Sequence, residues 1–170
     1  SNDEVKTRFL LRSAITGAIR DYLKQKGYIE VETPILQPEA GGAAAKPFKT
    51  YANALDEERY LRISLELYLK RLIIGGYEKV FEIGKIFRNE GFSHKHHPEF
   101  TMLEAYAAYT SYLDVATLVE DMISTVAKEV LGKTTIHIGD TEISLKPPWK
   151  RITLHDALQK FGNLDLNSYT

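Results

Sequence analysis

The chain has 170 residues, 44% of them hydrophobic and 26% charged, a composition typical of a soluble globular protein of about one domain. Its 22 basic and 23 acidic side chains give a formal net charge of −1. This charge excludes non-specific electrostatic binding of nucleic acid by the whole surface, so any phosphate must be bound by a local group of basic residues. The absence of cysteine excludes disulfides, thiolate zinc sites and thiol nucleophiles. No apolar run approaches the ~18 residues of a membrane span and no signal-peptide pattern opens the chain, so we expect a cytoplasmic protein.

Hydrophobic spacing predicts alternating helices and short strands along the chain. The predicted helices are 5–26, 66–74, an apolar repeat over 118–131, and a short helix capped by Thr153 that ends at residue 162. The predicted strands are 28–33, 60–64, 79–87, 100–109, and a hairpin of 136–138 with 142–145. A flexible loop is predicted over 38–47. Because most of these strands are joined as hairpins with helices between them, we expect an α+β domain built on an antiparallel sheet.

The connection between the two longest predicted strands concentrates charged and aromatic residues. Arg88 ends one strand, and Phe100 opens the next on the same face as Met102, Glu104 and Tyr106 by period-2 alternation. A ring that stacks on a base and an arginine that takes a phosphate would suit a nucleotide. On composition alone, a solvated charged loop remains the alternative.

Three other features carry weaker signals. The histidines His94, His96 and His97 lie too close together to converge as a tetrahedral zinc set, and a loop that reads phosphate is the better alternative. The Gly41-Gly42 segment matches neither a P-loop nor a dinucleotide fingerprint, and taken alone it is a flexible connector. Glu66, at a strand-to-helix junction, is explained equally well as a favourable first-turn acid.

Several segments resemble motifs of the class II aminoacyl-tRNA synthetases. Residues 87–90 (FRNE) followed by 96–101 (HHPEFT) resemble motif 2, and residues 27–34 resemble motif 1. The segments 41–48 (GGAAAKPF) and 61–72 are similar to the lysine-specific branch rather than to its aspartate and asparagine relatives. The resemblance implies an antiparallel sheet flanked by helices, with residues 1–170 forming the N-terminal portion of the catalytic domain.

The resemblance also implies substrates and residue roles. It implies that L-lysine is activated by ATP and passed to the acceptor end of tRNA(Lys), with Arg88 at the α-phosphate and Phe100 under the adenine. The candidate ATP-binding residues are Arg88, Glu90, Lys95, His96, Phe100 and Met102. The candidate lysine-binding residues are Gly42, Glu66, Glu104 and Tyr106.

The chain departs from the family pattern in two places and lacks some of its parts. His97 stands where an asparagine is common, and Leu65 stands where a proline usually precedes Glu66. The third motif, the Mg²⁺ ligands and the anticodon-binding barrel are not found in residues 1–170, so we expect little activity from this chain alone. The first helix and strand 29–33 are predicted to form a homodimer surface. A truncated relative acting as a lysine- or nucleotide-binding or dimerisation module is the alternative, and a paralogue that modifies proteins is a weaker one.

Overall fold

A computed structural model describes residues 2–166, and the chain divides into two compact units, Ser1–Val115 and Ala116–Thr170. The helices are α1 (Asp3–Gln25), α2 (Glu66–Ile74), α3 (Tyr112–Leu131) and α4 (Leu154–Gly162). The strands are β1 (Ile29–Glu30), β2 (Leu36–Gln37), β3 (Lys49–Ala52), β4 (Glu57–Leu61), β5 (Lys79–Phe87), β6 (Glu99–Ala107), β7 (Thr135–Ile138) and β8 (Thr141–Ser144). No helix in the described part of the chain is both long enough and apolar enough to cross a membrane.

The first unit contains two small sheets that position the site. In the larger sheet, β5 lies between β1 and β6, and its antiparallel pairing with β6 runs from Lys79 opposite Ala107 to Phe87 opposite Glu99. The second sheet has the order β2-β4-β3. These antiparallel pairings and the helices confirm the predicted fold class. One pairing differs, because β1 runs parallel to β5 and reaches it only after a long connection that contains the second sheet and α2.

One cluster of buried apolar residues in this unit lies between α2 and one face of the larger sheet. Leu65, Leu69, Val80 and Ile86 are buried there. Partly buried side chains of β6 pack against this cluster, namely Phe100, Met102 and Tyr106. The period-2 alternation that buries Val80 and Ile86 on β5 therefore turns the candidate site residues of β6 toward the same face.

Local end signals explain where the helices stop and start. Gly27, with a φ of +82°, ends the first helix as predicted. The Thr153 hydroxyl accepts a hydrogen bond from Asp156 N at 3.0 Å and caps α4, which confirms that prediction. The third helix begins at Tyr112 rather than at 118, because Asp114 accepts a 2.7 Å bond from Ser111 N and fixes an earlier first turn.

The region between α1 and α2 differs most from the prediction. Strand β1 is shorter than predicted, β2 and β3 were not predicted, and β4 lies three residues earlier than residues 60–64. Residues 38–48 contain neither helix nor strand, which confirms the predicted loop. The segment 62–64 follows β4, is buried and is not part of a strand. Arg62 bonds there to Ile35 and Phe87 through its backbone and to Lys85 O through its side chain.

The second unit is a separate, smaller arrangement. Its hairpin β7–β8 turns at Gly139, which has a φ of +58°, and the pairing of Ile138 with Thr141 confirms the predicted hairpin. Glu120 is buried and accepts hydrogen bonds from Arg151 Nε at 3.2 Å and from Trp149 N at 3.4 Å. None of the candidate site residues lies in this unit.

Candidate active site

Arg88 is fixed at the end of β5 by contacts on three sides. Its backbone N donates to Pro98 O at 2.8 Å across the hairpin. Its guanidinium donates through Nε and Nη2 to Ile63 O, both at 3.3 Å. The guanidinium carbon lies 5.3 Å from the centre of the Phe100 ring, within the range of a cation–π contact. An arginine and an aromatic ring are therefore placed side by side, as binding of a nucleotide phosphate and base requires.

A pocket of about 330 Å³ opens beside this pair, a volume within the range of small-molecule sites. Its lining residues are Arg88, Glu90, Gly91, Lys95, His96, His97 and Phe100. The structure thus brings together all the candidate ATP-binding residues except Met102. Met102 packs against the core cluster between Phe100 and Tyr106 on the same strand face.

The histidines at the hairpin tip are held by local contacts. His96 Nδ1 lies 2.8 Å from Ser93 Oγ, and the two residues also form a backbone bridge. The His97 ring packs edge-on against Phe92 with 5.1 Å between ring centres. Among residues 2–166, no three His, Cys, Asp or Glu side chains are grouped so that they could hold a metal ion. Sequence analysis missed Ser93, although a serine three residues before a histidine in a polar turn is a local signal.

A second cluster of polar groups centres on the Glu104 carboxylate. Glu104 Oε1 accepts hydrogen bonds from Ser64 Oγ at 2.9 Å and from Leu65 N at 3.1 Å. Glu104 Oε2 accepts a bond from the Tyr106 hydroxyl at 2.9 Å. Burial, followed by the hydrogen bond and negative charge of Glu104 and then the charge of Glu66, raises the pKa of Tyr106 far above its usual value. The tyrosine therefore stays neutral and acts as a donor.

Glu66 and Gly42 complete this cluster. Glu66 N donates to Ser64 Oγ at 3.1 Å, and its carboxylate pairs with Lys70 Nζ at 2.6 Å. Gly42 has a φ of +85°, and a Cβ there would lie 2.9 Å from Ser64 Oγ and 3.1 Å from Glu66 Cβ. Only glycine fits this position without strain. All four candidate lysine-binding residues are therefore neighbours.

Backbone contacts connect the two clusters. Lys46 N donates to Glu90 Oε1 at 3.2 Å, and Asn89 N donates to Lys46 O at 2.7 Å. The loop that carries Gly42 is thereby attached to the end of the β5–β6 hairpin. Phe100 and Glu104 are four residues apart on one strand face, which places their Cα atoms about 13 Å apart at ~3.3 Å per residue. A ligand with one end on the ring and the other on the carboxylate would therefore extend over roughly this distance.

Comparison with known proteins identifies the family. A family model described as tRNA synthetases class II (D, K and N) matches residues 1–168. The chain belongs to this family. Within class II synthetases, the motif 2 resemblance corresponds to the β5–β6 hairpin, and the motif 1 resemblance corresponds to the end of α1 and β1.

Curated relatives of this synthetase chain are named lysine–tRNA ligase. The chain is 56% identical to that of Clostridium kluyveri over 166 residues, which are 98% of this chain and 33% of the relative. It is 55% identical to that of Listeria innocua over 170 residues, or 100% of this chain and 34% of the relative. It is 52% identical to that of Dehalococcoides mccartyi over 165 residues, or 97% and 33%. The chain thus spans about a third of the length of the curated relatives it matches.

The two departures from the family pattern have different structural settings. His97 lines the pocket beside Arg88 and Phe100 and also contacts Phe92, so the His97 ring forms part of the pocket wall. Leu65 is fully buried in the core and precedes the first residue of α2. Its backbone N–H is a donor to Glu104 that a proline at this position would not supply. The leucine therefore anchors the turn through packing and adds a bond to the carboxylate.

Proposed function

We propose that this chain is part of a lysine–tRNA ligase, which activates L-lysine with ATP and transfers it to the acceptor end of tRNA(Lys) in the cytoplasm. The observation that carries the proposal is the Glu104 carboxylate, with Glu66 beside it, on the same strand face as Phe100. An ε-ammonium is a full charge with three donors, and leaving it unpaired on burial costs several kcal/mol. A site with two carboxylates suits lysine, whereas aspartate or asparagine would require a cation or an amide. The names of the curated relatives support the same substrate.

The first step joins the lysine carboxylate to the α-phosphate of ATP, and the bond to pyrophosphate breaks. Arg88, beside the Phe100 ring, neutralises the charge that develops on the α-phosphate while the ring stacks on the adenine. Lys95 and His96 add donors at the pocket wall. In the second step, a hydroxyl of the terminal tRNA ribose attacks the lysyl carbonyl and AMP leaves. Both steps depend on positioning and charge neutralisation, so neither needs a covalent protein nucleophile.

Magnesium is an expected partner of the ATP phosphates, and the described residues offer no grouped ligands for it. We assign its ligands to parts of the protein outside this chain. The roles given to Arg88, Phe100 and Glu104 do not depend on the metal.

The test of the proposed function is amino-acid-dependent exchange of pyrophosphate into ATP by the full-length protein that contains this chain. We expect exchange with lysine and not with aspartate or asparagine. The 170-residue chain alone should be at least about 100-fold slower, because loss of even one transition-state contact costs that much. Better exchange with aspartate than with lysine would refute the substrate, and lysine binding without exchange by the full-length protein would favour a binding module.

We also propose that α1 and the adjoining β1 contribute to a homodimer. The N-terminal half of α1 leaves several large apolar side chains exposed, including Phe9 at 69% and Leu10 at 62%, and grouped exposed apolar residues are typical of an interaction surface. Sedimentation of the full-length protein at micromolar concentration should show a dimer. Substitution of Phe9 and Leu10 by serine should shift it toward monomer, whereas a monomeric wild type would contradict the proposal.

A further inference from the structure

Arg62 and Glu82 form a buried ion pair to which the proposed function gives no role. Arg62 Nη1 lies 2.6 Å from Glu82 Oε1, and the two side chains are only 3% and 4% exposed. Two charges removed from water stabilise a protein only when their remaining donors and acceptors are also satisfied. The other partners of this pair therefore decide what it does.

Those partners lie on two further segments of the chain. Arg62 Nε donates to Lys85 O on β5 at 2.8 Å, and Arg62 Nη1 donates to Thr33 O at 2.9 Å. Glu82 Oε2 accepts bonds from Thr33 N at 3.1 Å and from Thr33 Oγ1 at 2.6 Å. The pair thus joins the chain after β1, the middle of β5 and the residue that follows β4.

The backbone of Arg62 strengthens the same junction. Arg62 N donates to Ile35 O at 2.9 Å, and Phe87 N donates to Arg62 O at 3.0 Å. The next residue, Ile63, provides the carbonyl that receives the Arg88 guanidinium. The two residues after it hold the Glu104 carboxylate. Arg62 therefore holds in place the short segment that follows it, residues 63–66. This segment contacts both Arg88 and Glu104.

Gly84 in the middle of β5 gives independent support. A Cβ at this position would lie 2.3 Å from Arg62 Nη2 and 3.0 Å from Glu82 Oε1. Glycine weakens a strand interior and often marks a place where another group approaches closely. The guanidinium of Arg62 is the group that fills the space above Gly84.

We propose that Arg62, with Glu82 and Gly84, is a positioning unit. It sets the distance between the carboxylate of the bound lysine substrate and the α-phosphate of the ATP held at Arg88. The proposal rests on the proposed function. The unit touches neither substrate, and it acts through residues 63–66. A displacement of about 1 Å in reacting groups can lower a rate on the order of 100-fold, so loss of the unit affects chemistry as well as lysine binding. The nucleotide-side pocket is built mainly within the β5–β6 hairpin, so binding of ATP is affected less.

The test is the substitution Arg62→Lys in the full-length protein. Lysine keeps the positive charge but lacks the planar set of guanidinium N–H donors. Pyrophosphate exchange is measured per active site, with sites counted by a burst of adenylate formation. We expect kcat to fall about tenfold or more and the lysine KM to rise about tenfold, with the ATP KM changing less than about threefold. The matched control is Arg59→Lys on the adjoining strand β4, where the arginine pairs with Glu57 outside the site. The control should keep wild-type constants.

Values of kcat and KM per active site separate a positioning role from a purely structural one. A residue that only stabilises the fold changes the number of active sites and leaves the kinetic constants of each site unchanged. Unchanged constants per site in Arg62→Lys would overturn the positioning unit while leaving the proposed function intact. A wild type without lysine-dependent exchange would refute the proposed function itself. If Arg62→Lys does not fold, Glu82→Gln and Gly84→Ala decide the question by the same readout. Each should raise the lysine KM and lower kcat, and wild-type values per site in both would overturn the proposal.

Discussion

Substitution of Glu104 by glutamine should remove the negative charge from the lysine side of the site while keeping its hydrogen bonds. Glu104 Oε1 receives two donors, one of them the backbone N–H of Leu65, which cannot act as an acceptor. Among residues 2–166, Glu104 Oε2 receives only the Tyr106 hydroxyl, which can rotate and accept instead. The glutamine should therefore point its oxygen toward Leu65 and its amide toward Tyr106. The fold around it survives, and the loss is one charge-assisted bond to the ammonium.

Such a bond is worth roughly 1.5–3 kcal/mol, which corresponds to about a ten- to hundredfold rise in the lysine KM. The ATP KM should change much less, because the proposed ATP contacts lie at the other end of the strand face. Both constants are measured by pyrophosphate exchange with the full-length protein. Glu58→Gln is a matched control, since Glu58 also accepts a bond from the tyrosine two residues along, Tyr60, but is exposed and outside the site. Equal shifts of the lysine and ATP constants in Glu104→Gln would refute the assignment of this carboxylate to lysine.

Three further substitutions test other contacts. Gly42→Ala should raise the lysine dissociation constant in calorimetry by about tenfold or more, because the new Cβ meets the lysine cluster from a strained backbone. Arg88→Ala should slow adenylate formation about 100-fold or more while changing lysine affinity far less, and an unchanged rate would remove Arg88 from the site. Burial alone raises the pKa of Glu30, but its bonds to Arg20 and Lys24 outweigh burial and lower it. Glu30→Gln should therefore have a lower free energy of unfolding in urea than wild type at neutral pH. This difference should shrink as the pH falls below the ordinary glutamate pKa of 4.5 and through the lowered pKa of Glu30.

The elements that carry the nucleotide side could be predicted from sequence because their signals are local. The predicted bounds of α2 and β5 match the structure, since a glycine pair ends the helix and a run of apolar residues marks the strand. Period-2 alternation placed Phe100 and Glu104 on one face, and the structure confirms this arrangement. A contact that depends on residues within one hairpin can be read from spacing alone.

The groups that hold the lysine side could not be predicted in the same way. The bond from Ser64 to Glu104 and the ion pair from Arg62 to Glu82 join residues 40 and 20 positions apart. Their geometry depends on the packing of the segment after β4, and that strand lies three residues earlier than its alternation indicated. A buried arginine in a strand-like pattern has no sequence signal for its partner until the sheet register is known.

This division between local and distant contacts has a consequence for how the site assembles during folding. The pocket proposed for the nucleotide is lined by residues of one hairpin, from Arg88 to Phe100, so its lining closes a short loop at small entropic cost. The lysine side needs chain as far apart as Gly42 and Tyr106 to meet. Contacts of such separation close a longer loop, so we expect them to form later in folding. We therefore expect the part of the site proposed for the nucleotide to form earlier in folding than the part proposed for the amino acid.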